Sequence, residues 1–199
     1  MKKFILLLCL LAAAGAQAQE KMIIKETFES NRLKWDETYE KEYSVGLMDG
    51  YLQLKNTKKD HFVYSVTEMP VNAEADFKII SRFTVPKLND KCKFGIIFNY
   101  VDESTFSCFA VSEKRYELFN RIDGEDRRSR HGSIILNAGK NKEVVIELEK
   151  KGGKLIFNVD EMEAITITKR IEGTAFGFIA FDDQTLKVEE VVIEQMVEE

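Results

Sequence analysis

The side chains best placed for chemistry are three glutamates, Glu143, Glu147 and Glu149, and a charged hairpin carrying Phe119, Arg121, Arg128 and Arg130. A retaining glycosidase needs two carboxyl groups about 5–5.5 Å apart, a separation that alternate residues of one strand approach on a common face. The glutamates interleave with Val144, Ile146 and Leu148, so their first reading is the solvated side of a half-buried strand.

The hairpin offers different chemistry. With Asp123-Gly124 as a two-residue turn, Ile122 faces Glu125, and Arg121, Phe119 and Glu117 then face Asp126, Arg128 and Arg130. Tyr116, Leu118 and Ile122 point the other way and read as core, which leaves Phe119 outward among the arginines. On the preceding strands Phe94, Ile96, Phe98 and Tyr100 read as core, and Gly95, Asn99 and Phe106 as outward. An outward ring beside amide and guanidinium donors suits a sugar, whose C–H faces stack on the ring while its hydroxyls or carboxylates take the donors. The ligand-binding residues expected on this ground are Asn99, Phe106, Phe119, Arg121, Arg128 and Arg130. The competing reading is a salt-bridged, solvated ribbon over buried aromatics.

Other chemistries lack their residues. His61 and His131 are the only histidines and have no zinc-site spacing, and there is no Cys-x-x-Cys, Gly-rich phosphate loop or Gly-x-Ser-x-Gly. No cofactor is implied. Asp182-Asp183 is the one pair that suggests calcium, and a turn favouring aspartate accounts for it equally. The net charge is −5 with acidic residues spread throughout, and Arg127 to His131 is too short and too interleaved with acid for a nucleic-acid stripe. Attraction to anionic lipid is likewise not expected.

The elements that must position these residues are strands. Phe94-Gly-Ile-Ile-Phe-Asn-Tyr100, Thr105-Phe-Ser-Cys-Phe-Ala-Val111 and Thr174-Ala-Phe-Gly-Phe-Ile-Ala-Phe181 are strand-length runs rich in aromatic and β-branched residues. Asp49-Gly50, Asp123-Gly124 and Gly152-Gly153 mark hairpin turns. Around Gly152-Gly153, Leu148/Phe157 and Ile146/Val159 pair on one face and Glu147/Asn158 on the other. Many short strands at intervals of about ten residues predict an all-β, antiparallel two-sheet sandwich. Two prolines and no compositional shift predict a single domain over 19–199.

Lys2-Lys3, the apolar run Phe4 to Ala14 and Ala16-Gln17-Ala18 have the three parts of a secretory signal peptide over 1–18. The expected location is therefore periplasmic, cell-surface or extracellular, without a membrane anchor. Export permits a disulfide between Cys92 and Cys108, but geometry opposes it. With Cys108 opposite Ile97, Cys92 lies five residues further along, roughly 17 Å at about 3.3 Å per residue, against a limit of about 7 Å between bridged Cα atoms.

Glu26-Thr-Phe28 with Trp35, Asp49-Gly50-Tyr51, the Phe94 to Asp102 strand and turn, the Lys142 to Asp160 hairpin and the last strand Leu186 to Ile193 together resemble secreted bacterial members of the concanavalin A-like lectin/glucanase (laminin-G-like) jelly-roll superfamily. The resemblance implies a jelly roll and carbohydrate as partner. Jelly-roll glucanases set their acids as Glu-x-Asp-x-Glu or Glu-x-Asp-x-x-Glu, and the central aspartate is missing around Glu147. The function expected is thus a secreted, non-catalytic, lectin-like carbohydrate-binding protein. A jelly-roll glycoside hydrolase is the alternative, and a protein-interaction domain is the third reading.

One outcome follows from the leader. N-terminal sequencing of the exported protein should begin at or near Gln19, and retention of Met1 on folded exported protein would refute the cleavage.

Overall fold

The computed structural model describes residues 21–137 and 139–196, and of Arg128, Ser129 and Met196 the backbone alone. The leader expected over 1–18 lies outside the described residues. In chain order the strands are β1 (Lys21–Glu26), β2 (Thr38–Tyr39), β3 (Tyr43–Met48), β4 (Tyr51–Asn56), β5 (Phe62–Glu68), β6 (Phe77–Leu88), β7 (Lys93–Asp102) and β8 (Thr105–Val111). They continue with β9 (Arg115–Ile122), β10 (Glu125–Ser133), β11 (Gly139–Lys151), β12 (Lys154–Val159), β13 (Met162–Thr168), β14 (Ala175–Phe181) and β15 (Gln184–Met196). They form two antiparallel sheets of a jelly-roll sandwich: a nine-stranded sheet β13-β12-β11-β6-β15-β4-β3-β2 with β1 on β15, and a six-stranded sheet β10-β9-β8-β7-β14-β5.

Local turn chemistry sets the hairpins. Both central residues of the three expected turns have positive φ: Asp49 (41°) and Gly50 (82°), Asp123 (52°) and Gly124 (81°), Gly152 (55°) and Gly153 (75°). That is the primed geometry whose twist matches the flanking strands. The β11–β12 register is the expected one, with Ile146 opposite Val159 and Leu148 opposite Phe157. Between the sheets the core holds Phe83, Phe94, Phe98, Phe109, Phe157, Phe176 and Phe178, none more than marginally exposed. Trp35, on the segment before β2, enters the same core and stacks on Phe178 at 5.1 Å between ring centroids.

Two bulges change the face assignments made from alternation. Ile97 lies opposite Cys108 as expected, but the register then shifts, so Asp102 rather than Tyr100 faces Thr105. Asn99 sits in the left-handed region at φ 52°, a conformation asparagine tolerates better than most residues. Its amide fastens a distant loop: Nδ2 donates to the Arg170 carbonyl at 3.0 Å, and Oδ1 accepts from the Glu172 N–H at 2.9 Å. Against β14 the shift is a single residue, Gly177 facing Ile97 and Ala175 facing Tyr100, and it turns Tyr100, expected in the inter-sheet core, onto the outer face of the six-stranded sheet. On β10 a second shift falls between Arg128 and Arg130. Arg121/Asp126 and Phe119/Arg128 pair as expected, but Arg130 faces Leu118 and His131 takes the place opposite Glu117.

Cys92 and Cys108 are free and buried. Burial pushes the Cys108 thiol well above the ordinary range and raises that of Cys92. Denatured protein alkylated without reductant should therefore gain two modifications, whereas folded protein should leave Cys108 unmodified over the same interval. Intact mass reads both. A denatured mass with neither thiol modified would contradict the pairing of β7 with β8.

Candidate functional site

The outer face of the six-stranded sheet is a second hydrophobic core. Val66, Ile97, Phe106, Cys108, Ala110, Phe119, Ile179 and Phe181 are buried there, with Phe62, Tyr64 and Tyr100 packed partly against them. These side chains reach across the sheet. Phe62 on β5 and Phe106 on β8 are three strand positions apart, about 14 Å in a flat sheet, yet their ring centroids are 6.0 Å apart. Phe119 on β9 and Phe181 on β14 meet at 6.1 Å. The face is therefore cupped, and its own rings fill the cup.

Cations lie on the rings. The Lys93 ammonium is 4.3 Å from the Phe181 centroid, and the Arg121 guanidinium is 5.0 Å from that of Phe62. Lys93 also pairs with Glu117 at 3.4 Å, and Arg121 with Asp126 at 2.7 Å.

The residues expected from sequence are dispersed by this packing. Phe106 and Phe119 do face outward, but they are 2% and 5% exposed because neighbouring rings cover them. They are not open stacking surfaces. Asn99 is occupied with the 170–173 loop. The β10 bulge carries Arg130 onto the parity of Leu118, away from Phe119. The Arg128 backbone stands opposite Phe119, and its side chain is outside the described residues. Ile122, expected in the core, is 37% exposed at the hairpin tip. Of the five whose side chains are described, Arg121 alone lines a cleft.

That cleft, of about 760 Å³, runs along β5 and is lined by Asp36, Glu37, Thr38, Tyr43, Asp60, His61, Phe62, Tyr64, Glu103, Ser104 and Arg121 with Val45 and Val63 behind. Its wall from the 36–38 segment arises where the chain leaves β5 for the other sheet. The Asp36 N–H donates to the Val66 carbonyl at 3.1 Å, after which the segment joins β3 as β2. Among the described strands β5 pairs only with β14. Because main-chain groups alternate in direction along a strand, Phe62 and Tyr64 point theirs the same way as Val66, toward the cleft. The opposite wall is the β7–β8 tip, held to the β9–β10 tip by the Gly124 N–H donating to the Ser104 carbonyl at 2.9 Å. Asp182 fixes the turn before β5, its Oδ1 accepting from the Asp60 N–H at 2.7 Å.

The site thus combines rings, main-chain donors and acceptors, carboxylates and one guanidinium. Tyr43 and His61 pack at 5.3 Å, and His61 and Phe62 stack at 6.2 Å. The Tyr64 and Tyr100 hydroxyls are 3.4 Å apart. Burial, that contact, and the negative charges of Glu103 and Asp36 push the Tyr64 phenol well above its usual range. Partial enclosure raises the Asp36 carboxyl above the ordinary aspartate value. Most of this was not visible in sequence, because the lining residues come from four separated segments. The local signal was Phe62-Val-Tyr64, an alternating strand start just after the charged Lys58-Lys59-Asp60 turn.

The three glutamates of β11 lie elsewhere, on the nine-stranded sheet. Glu147 pairs with Lys78 at 2.8 Å and accepts from Asn158 Nδ2 at 3.2 Å, and Glu143 pairs with Arg82. Among the described residues no group of three or more His, Cys, Asp or Glu side chains is placed to hold a metal ion, and no helix is long and apolar enough to cross a membrane.

No protein-family model matches the chain, and no curated protein matches it. Solved structures match in fold. The carbohydrate-binding module CBM66 from Bacillus subtilis is 13% identical with a TM-score of 0.60, covering 78% of this chain and 94% of that one. The catalytic domain of an endo-1,3-beta-glucanase (laminarinase) from Thermotoga petrophila is 8% identical with a TM-score of 0.60, covering 90% and 100%. A family 16 endo-glucanase from Bacteroides ovatus is 12% identical with a TM-score of 0.60, covering 85% and 99%. The fold is the concanavalin A-like jelly roll, shared by a binding module and by hydrolases.

The packing of the outer face corrects one expectation with a measurable consequence. Phe119→Ala should cost about 3–5 kcal/mol in denaturant unfolding, comparable to Phe98→Ala in the inter-sheet core, because each removes a buried ring and leaves a cavity. A change within about 0.5 kcal/mol, as for an exposed position, would contradict the second core.

Proposed function

We propose that this is an exported, non-catalytic carbohydrate-binding protein that holds a glycan in the cleft along β5. The observation that carries the reading is the conjunction, in one cleft, of the Tyr43, His61, Phe62 and Tyr64 rings with the open edge of β5 and the Arg121 guanidinium. Rings accept the C–H faces of a sugar, and a planar guanidinium with main-chain N–H and C=O groups serves its hydroxyls. The fold neighbours support a carbohydrate ligand. Salt bridging of Glu143 and Glu147 on the other sheet supports binding over hydrolysis by those residues. Of the residues first expected from sequence, Arg121 is retained as ligand-binding, and Phe106 and Phe119 belong to the packed outer-face core beside the cleft, Phe106 against Phe62. Export rests on the leader sequence over 1–18.

Titration of the mature protein with laminarin, mixed-linkage glucan, chitosan and polygalacturonate should find binding to at least one. Arg121→Lys, which keeps the charge and loses the planar fork, should weaken that binding about tenfold, the equivalent of ~1.4 kcal/mol. Incubation with the bound polysaccharide should release no reducing ends. Failure to bind any of the four would favour the protein-interaction reading, and released reducing ends would favour the hydrolase.

A further inference from the structure

The β5 cleft continues past the Asp60 turn. Asp60 also lines a second cleft, of about 720 Å³, at the end of the sandwich where the β4–β5, β6–β7, β8–β9 and β14–β15 connections meet. The ridge between the two clefts is held in place. Asp182 Oδ1 accepts from the Asp60 N–H at 2.7 Å, and the Asp182 N–H donates to the His61 carbonyl at 2.8 Å, so the β4–β5 and β14–β15 turns fasten one another. Lys59 and Asp60 are exposed on that ridge.

The second cleft has a polar floor. Gln184, Ser112 and Glu117 line it and are only 8%, 3% and 9% exposed. The Gln184 amide is oriented by its Nε2, which donates to the Lys93 and Phe181 carbonyls at 2.5 Å each. Its Oε1 is therefore an acceptor, and among the described residues it has no partner. Buried polar atoms left open are uncommon in folded proteins, and here they gather at the clefts. Of the six among the described residues, His61 Nδ1 and Arg121 Nε belong to the β5 cleft and Gln184 Oε1 to the second. The other three belong to Glu26, Trp35 and Ser81, which line neither cleft.

The two linings differ in a complementary way. Rings line the β5 cleft, whereas the second cleft has no aromatic ring and has cations and carboxylates in equal number. Such a lining offers donors and acceptors without a stacking surface or a net charge. Hydroxyl groups, which both donate and accept, suit it: they can donate to Gln184 Oε1 and accept from the exposed Lys87 and Arg115 side chains.

We infer that the two clefts are one extended site, which takes an internal stretch of a polysaccharide chain across the Asp60 ridge, the hydroxyls of its further units meeting Gln184, Lys87 and Arg115. This rests on the carbohydrate-binding reading of the β5 cleft and narrows the ligand to a long polymer, in place of a single terminal sugar. A chain held in the β5 cleft presents its next units to the second cleft at high effective concentration, so modest contacts there add to affinity.

Dimers, tetramers and octamers prepared from laminarin, mixed-linkage glucan, chitosan and polygalacturonate separate the two clefts by length. For the polysaccharide that binds, the octamer should bind about tenfold more tightly than the tetramer. Lys87→Gln and Arg115→Gln combined should weaken the octamer about fivefold and leave the tetramer unchanged, whereas Arg121→Lys should weaken both alike. Lys154→Gln, exposed on β12 of the other sheet, should change neither. In NMR spectra of the unsubstituted protein, the Gln184 side-chain amide should shift with the octamer and stay in place with the tetramer.

Equal affinity for tetramer and octamer would overturn the inference while leaving carbohydrate binding intact. An octamer advantage that survives the Lys87/Arg115 double variant, or that leaves the Gln184 amide unmoved, reflects more registers of the chain along one cleft and would overturn it as well. Binding of no oligomer would overturn it too, and binding of no parent polysaccharide would overturn the carbohydrate reading with it.

Discussion

The convergence of Phe62, Phe106, Phe119 and Phe181 across the outer face of the six-stranded sheet is the packing on which the rest of the arrangement depends. A sandwich sheet ordinarily buries one face and wets the other. Here both faces of β7, β8 and β14 are dry, and the contacts between rings on non-neighbouring strands require the sheet to cup. Cupping has two consequences. It converts an open sheet face into a second core, and it brings Arg121 from β9 over Phe62 on β5, so that the free edge of β5 becomes the floor of a cleft instead of an exposed rim.

The bulges serve the same geometry. By turning Tyr100 outward, the extra residue at Asn99 adds a ring to the cup and brings a hydroxyl to Tyr64. Asn99 can hold the left-handed conformation because its side chain replaces lost ladder bonds with bonds to residues 170–173. Gly173 is required at that contact, since a Cβ there would come within 2.5 Å of the Asn99 backbone. Open β5 edges invite pairing with other chains. In this fold the 36–38 segment and the β7–β8 tip flank that edge with carboxylates, which discourages indiscriminate strand addition while leaving main-chain groups available to a ligand.

Much of the sandwich could be read from the chain, because hairpins announce themselves locally. Asp49-Gly50, Asp123-Gly124 and Gly152-Gly153 specify primed turns by residue type, and the turns fix the registers on either side. Even the doubly buried sheet had a sequence signal. Phe94 to Phe98, Cys108 to Val111 and Ala175 to Phe181 are continuous rather than alternating apolar runs, the pattern of strands dry on both sides, whereas alternation assigned one of their faces to solvent. The bulges were not legible, since the one at Asn99 is sustained by bonds to a loop some seventy residues away. Nor was the cleft, which joins residues 36–45, 60–64, 103–104 and 121 only once β5 lies at a sheet edge beside the departing 36–38 segment.

The proposed location of ligand binding at the β5 edge is tested most directly by amide hydrogen exchange of the protein lacking residues 1–18, alone and with whichever of laminarin, mixed-linkage glucan, chitosan and polygalacturonate it binds. The β5-edge site predicts that a ligand slows exchange at Phe62 and Tyr64, whose N–H groups face the cleft, with smaller effects over 36–38 and 103–104. The amides of β8 and β9 should be unaffected, being already bonded within the sheet. Ligand-induced protection confined to β11 and β12, or to the β9–β10 hairpin with β5 unchanged, would contradict it.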